Sequence, residues 1–135
     1  MTKQVEGFQI LFVSEKDLDD HEQAMLEKLL RSVDIDQRQV ALTNMGRGRG
    51  CVWLEIQSVN PRVIITLGKE VARVLLHEKK SFKLEPHVGK IHNAPHLGEA
   101  VIIVPIQSMS FLLGRGIKDV HRTISILKCC KGLSC

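Results

Sequence analysis

Apolar residues in this chain alternate between short unbroken runs and longer stretches of helical spacing. Phe8-Gln9-Ile10-Leu11-Phe12-Val13 is a run of strand length. The acidic cluster Glu15-Lys16-Asp17-Leu18-Asp19-Asp20 follows it and offers caps and negative charge to a helix start. Met25, Leu26, Leu29, Leu30 and Val33 then fall on one helical face, leaving Glu22, Glu27, Lys28 and Arg31 for solvent, and Asp34 with Asp36 stops the helix. Residues 39–45 predict a second strand that runs into Gly46-Arg47-Gly48-Arg49-Gly50, a loop whose glycines permit backbone shapes other residues resist. Residues 51–59, with Val52, Trp53, Ile56 and Val59 on one side, predict a short helix that stops before Pro61.

The segment from Asn60 to Leu76 predicts strand, glycine turn and helix in immediate succession. Val63-Ile64-Ile65 is the uninterrupted apolar triplet of a strand covered on both faces, and Gly68 supplies the turn. Residues 81–98 hold Pro86, Pro95, Gly89 and Gly98 and have no clear period, which suits a long excursion or a small hairpin around residues 87–92. Residues 100–105 form a fourth buried strand, and residues 117–130 a last helix with Val120, Ile124 and Leu127 inward. The order βαβαβαβα predicts an α/β fold, a three-layer αβα sandwich around a four-stranded, mainly parallel sheet. Ligands of such sheets sit beyond the carboxyl ends of the strands, here Ser14-Glu15, residues 44–50, Gly68-Lys69 and residues 106–110.

A chain of 135 residues fits one domain, expected to span residues 1–135 with flexible tails at 1–6 and 131–135. No apolar stretch has the length of a membrane span, and Met1-Thr2-Lys3-Gln4-Val5-Glu6 lacks the apolar core of a signal peptide, so a cytoplasmic, bacterial-type protein is expected. The net charge is +4, but residues 1–68 hold 8 basic and 10 acidic side chains while residues 69–135 hold 11 and 5. That surplus in the second half can attract phosphates. Cys51, Cys129, Cys130 and Cys135 show no Cys-x-x-Cys spacing. Neighbouring side chains on a helix point roughly 100° apart, so Cys129 and Cys130 do not converge on a metal, and free thiols are expected. His87, His92 and His96 fit no recurring zinc spacing either, and no cofactor is expected.

Several motifs together resemble the uracil-DNA glycosylase superfamily, particularly its iron–sulfur bacterial and archaeal class. Leu42-Thr43-Asn44 is similar to that class's strand ending in Thr-Asn, and Pro61-Arg62-Val63-Ile64-Ile65-Thr66-Leu67-Gly68, followed by Val71-Ala72, to its Pro-(Lys/Arg)-Val-Ile segment and the helix beyond. The class's final motif, Pro-Thr-(Phe/Tyr)-His-Pro-Ser-(Tyr/Ala)-Leu-Leu, keeps its frame here at Pro105, Ser110, Phe111, Leu112 and Leu113. Ser108 and Met109 stand in the histidine and proline places. The Gly-Glu-Ala-Pro-Gly motif is reduced to the glutamate of Ser14-Glu15-Lys16-Asp17-Leu18, and four widely separated cluster cysteines are absent.

The resemblance implies base excision, in which the motif histidine stabilises the departing uracil anion. A serine hydroxyl is uncharged, and charge-assisted hydrogen bonds are about twice as strong as neutral ones, so the replacement removes much of that effect. The resemblance with these departures implies a non-catalytic domain acting as a binding or assembly subunit in DNA replication or repair. The psi subunits of the bacterial DNA polymerase III clamp-loader assembly offer a precedent, being of similar length and lacking a glycosylase site. A protein partner is then expected, and DNA contact through phosphates. The alternative is a divergent glycosylase using Glu15, Asp17 and Ser108 on a flipped base. Candidate nucleic-acid contacts are Asn44, Arg47, Arg49, Lys69, Ser108 and Arg115. Each has a structural role open to it as well, Asn44 as a turn residue and Glu15 and Asp17 as helix-start charges.

Overall fold

The structure, a computed structural model, describes residues 10–36, 40–46, 49–97, 101–114 and 117–133. β1 (Ile10–Ser14) leads through α1 (Asp20–Ser32) to β2 (Val40–Asn44), and α2 (Arg49–Val59) returns the chain to β3 (Val63–Leu67). After α3 (Lys69–Leu75) come a single 3-10 turn (Glu85–His87) and the two-residue β4 (His92–Asn93). β5 (Ile102–Ile106), α4 (Met109–Leu113) and α5 (Ile117–Leu133) follow. The sheet order is β2-β1-β3-β5-β4, with β1, β2, β3 and β5 parallel and β4 antiparallel to β5.

Alternation along the strands sorts the core into two layers. Ile10, Phe12, Val63, Ile65, Leu67, Val104 and Ile106 pack against Leu26, Leu29 and Leu30 of α1, Met109 and Leu112 of α4, and Leu127 and Cys130 of α5. Leu11, Val13, Ile64 and Ile103 point the other way, onto Val52 and Ile56 of α2 and Val71 and Leu75 of α3. This is a three-layer αβα arrangement. Every residue of β1 and β3 is buried, as the apolar triplet of β3 predicts.

Helix ends are set by local chemistry. Asp19 caps α1, its carboxylate accepting from the Glu22 amide at 2.8 Å while the Glu22 carboxylate accepts from the Asp19 amide at 3.0 Å. The helix stops at Asp34, in the left-handed region at φ 59°, with the Ile35 amide reaching the Leu30 carbonyl at 2.9 Å and the Asp34 amide the Arg31 carbonyl at 3.1 Å. α3 ends the same way at His77, also at φ 59°, with Glu78 bonded back to Arg73 at 2.8 Å. Asp, Asn and His tolerate this conformation better than most residues, so neither helix needs a glycine.

Three expectations require correction. The sheet has five strands rather than four, because two residues pairing at an edge, His92 with Ile103 and Asn93 with Ile102, are too few to leave a period in the sequence. Of the two readings of residues 81–98, the long excursion holds and the hairpin around residues 87–92 does not. The chain closes successive tight turns, the His87 amide donating to the Leu84 carbonyl at 2.8 Å and the Lys90 amide to the His87 carbonyl at 3.0 Å, while Gly89, at φ 80°, donates to the Pro105 carbonyl at 2.8 Å. That bond also explains a proline inside β5: the Pro105 carbonyl faces the short edge, so its missing N–H falls on that side and not against β3. Finally, α5 continues three residues past the expected end at 130, with Lys131 Nζ reaching the Val33 carbonyl at 3.3 Å, so residues 131–133 belong to the helix. The expected tail at 1–6 lies outside the described residues, as do 134–135.

On α5 the paired cysteines separate as the helical turn requires, Cys129 exposed and Cys130 buried. Burial, with Cys129 beside it, pushes the Cys130 thiol up to about 12, so it packs as a small apolar side chain.

Thr66 is the one buried side chain among the described residues whose polar atom has no hydrogen-bond partner. It is fully buried in β3, between Val13 of β1 and Pro105 of β5. An unsatisfied buried hydroxyl costs about 1–3 kcal/mol, and an apolar group of the same shape avoids that cost. Thr66→Val is therefore expected to raise the urea midpoint, with a gain of about 1 kcal/mol and an unchanged slope.

Candidate functional site

β1 sends the chain outward to β2 on one side of the sheet, whereas β3 sends it to β5 on the other. The carboxyl ends of these neighbours, Ser14 beside Leu67, mark the point where the winding reverses, and helices diverge from it to leave a gap. A cleft of about 200 Å³ opens there, lined by residues 14–16, Leu18, Glu22, residues 67–70 and residues 108–110.

Two tight turns form its floor. Gly68 stands at φ 104° and ψ 171°, a conformation nearly confined to glycine, and its amide donates to the Ile106 carbonyl at 3.0 Å. A β-carbon there would lie 3.4 Å from that of Ser108, so the turn after β3 and the turn after β5 are in close approach. Ser108 caps α4: its hydroxyl oxygen accepts from the Phe111 amide at 3.2 Å and lies 3.3 Å from the Ser110 hydroxyl. α4 is an element the sequence reading did not assign, although a serine before Met-Ser-Phe-Leu-Leu is the signal that would have found it.

Charge around the cleft is mixed in sign. Glu15, Lys16 and Lys69 are exposed. Glu22 is engaged in the α1 capping box, and Glu70 holds Arg73 through bonds of 2.8 and 3.1 Å. A smaller cleft of about 170 Å³ adjoins it beyond Ser14. There the Asn44 amide donates to Asp17 at 2.6 Å and its carbonyl accepts from the Gly46 amide at 2.8 Å, so Asn44 closes the turn after β2. The Ser14 hydroxyl donates to the Lys16 carbonyl at 2.7 Å and shapes the wall between the two.

The structure thus brings Glu15, Lys69 and Ser108 into one cleft and sets Asp17 with Asn44 in the next. Arg47 and Arg115 lie outside the described residues, and Arg49 opens α2 with its side chain undescribed. Met109 lies in the segment 106–110 expected at the carboxyl end of β5, whereas Glu22 and Glu70 join the cleft through the packing of their helices.

The histidines gather elsewhere. His87 Nδ1 and His92 Nε2 lie 3.3 Å apart, with Phe82 tilted against the His87 ring at 4.9 Å. Trp53, His77 and His96 form a second group, His77 stacked on Trp53 at 5.9 Å and His96 edge-on to His77 at 4.6 Å. Among the described residues no three His, Cys, Asp or Glu side chains converge as metal ligands would. No helix among them is long and apolar enough to cross a membrane. Compared with known proteins, the chain matches no family model and no curated protein.

Two outcomes follow from this geometry. Gly68→Ala forces a side chain into a glycine-only conformation and is expected to destabilise by about 1–3 kcal/mol, read from urea unfolding. The second concerns pH. Burial and the neighbouring His87, with a smaller contribution from Lys90, hold the His92 pKa below its ordinary value of 6.5, while Glu78 opposes them. The folded state therefore favours neutral His92, and the unfolded chain takes up a proton first as pH falls. Stability from this group is complete above 6.5 and is lost as pH drops below it. His92→Asn is expected to flatten that part of the profile of Tm against pH.

Proposed function

We propose that this chain is a catalytically silent relative of the uracil-DNA glycosylases, serving in the cytoplasm as a binding or assembly subunit of DNA replication or repair, in the manner of the psi subunits. The observation that carries this reading is the state of Ser108. In the frame of the family's last motif it takes the histidine's place, and its oxygen is committed to the Phe111 amide at 3.2 Å. It brings no positive charge to a departing base, and the cleft lining holds no histidine to substitute for it. Lys16 and Lys69 border the cleft, but Glu15, Glu22 and Glu70 are interleaved with them. Such mixed charge does not make a continuous track for phosphates, which favours a protein as the main partner and a subsidiary DNA contact.

Glu15 and Ser108 do share the cleft, which is the one feature favouring a divergent glycosylase. A uracil-containing single-stranded oligonucleotide incubated with the protein and then treated with alkali is expected to stay intact. Cleavage that disappears in Glu15→Ala or Ser108→Ala overturns the silent-scaffold reading.

A further inference from the structure

Residues 82–94 run from beyond α3 to the edge of the sheet as a strap with few anchors. β4 gives the strap two paired residues, and the Gly89 amide reaches the Pro105 carbonyl at 2.8 Å. Glu85 accepts from Arg122 of α5 at 2.6 Å and from Gln107 at 3.0 Å, but Glu85 and Arg122 are exposed, and exposed ion pairs contribute little. Phe82, Leu84 and Val88 pack on Ala72, with Leu76 and Ile126 beside them, as a small cluster apart from the two main core layers. A segment held in this way opens locally at less cost than unfolding the sheet.

One further contact closes the strap on itself. His87 ends the tight turn from Leu84 and His92 begins β4, and His87 Nδ1 lies 3.3 Å from His92 Nε2. A neutral imidazole carries a proton on one ring nitrogen and a lone pair on the other. The two facing nitrogens therefore share one proton, one ring donating and the other accepting. Adding a first proton to the pair keeps that bond, since a charged ring donates to a neutral one. A second proton makes both nitrogens donors and sets two like charges face to face, so the contact repels where it had bonded.

The surroundings give that second proton little support. Glu78, beyond the end of α3, favours a charge on His92, while His87 and Lys90 oppose it. β5 brings only Ile102 and Ile103 opposite β4, and the Phe82 ring lies against His87 at 4.9 Å. Arg122 of α5 is engaged with Glu85. Burial first, and His87 next, keep His92 below its ordinary value of 6.5. The open strap takes up the proton more readily than the closed one, so closure is complete above 6.5 and weakens as pH falls below it.

We propose that the His87–His92 pair is an acid-released latch, in which a second proton on the pair opens residues 84–93 away from β5 and α5 while the parallel strands stay folded. Opening bares Ala72 of α3 and Ile126 of α5 and uncovers the outer edge of β5. The latch is independent of the proposed role in DNA metabolism and stands or falls separately from it.

The test is amide hydrogen exchange of the full-length protein, resolved by NMR at about pH 7.5 and about pH 5 and expressed as protection factors. Gly89 and Ala94, whose amides bond the Pro105 and Val101 carbonyls, are expected to lose about tenfold more protection in acid than Ile64 and Ile65 of β3. His92→Asn takes up no second proton and is expected to abolish that difference, whereas His121→Asn, at an exposed position on α5, leaves it in place. His87→Asn replaces His92→Asn in the test if the latter does not fold. An equal loss at Gly89, Ala94 and β3, or no loss at all, overturns the proposal. A difference that survives substitution of either latch histidine overturns it too, and points instead to the Glu85–Arg122 pair.

Discussion

The lateral pairing of β1 with β3 is the constraint from which the remaining structure follows. Both strands are buried at every residue, so each must be covered on two faces and flanked on two sides. Phe12 and Ile65 demand one helical layer, Leu11 and Ile64 another, and no two-layer arrangement satisfies both. The chain meets the demand by winding outward from this pair in opposite directions. Connections that keep one hand then place α1 on one face and α2 with α3 on the other.

That reversal also decides where a ligand or partner has room. Where β1 and β3 end, their helices part, and the cleft between them belongs to the topology rather than to any one motif. Its chemistry is then limited by how its polar side chains are already used. Ser108 closes the first turn of α4, Glu22 is engaged in the α1 capping box, and Glu70 is taken up by Arg73. Glu15, Lys16 and Lys69 stand exposed around the cleft, so the charge it offers is mixed in sign.

Much of the fold was legible because the signals are local. The triplet Val63-Ile64-Ile65, the spacing of Leu26, Leu29 and Leu30, and the acidic cluster before α1 that supplies its cap Asp19 each span only a few neighbouring residues, whereas the reciprocal bond from Glu22 was not read from the sequence. Left-handed caps at Asp34 and His77 were harder to see, because only glycine announces that conformation plainly. β4 was invisible for a different reason. His92 and Asn93 are extended only because β5 has hydrogen-bonding groups to offer them, and nothing in their own neighbourhood encodes it. The cleft lies at the carboxyl ends of the strands, with Lys69 and Met109 on segments the sequence points to, whereas Glu22 enters through helix packing alone.

The sequence by itself determined the four longer strands, the helices that follow β1, β2 and β3 and the last helix, and that β3 is covered on both faces, but neither β4 nor α4. Periodicity, turn chemistry and residue identity settle these matters over a few neighbouring residues. Tertiary structure alone decided what those residues do. It brought the turn at Gly68 against Ser108, forty positions later in the chain, and joined Asn44 to Asp17 across 27 positions. It also left the outward groups of β2 without a neighbouring strand among the described residues. The physical reason is the same in each case: hydrogen bonding and burial between distant residues depend on how the sheet and its helices pack, and no local pattern carries that information.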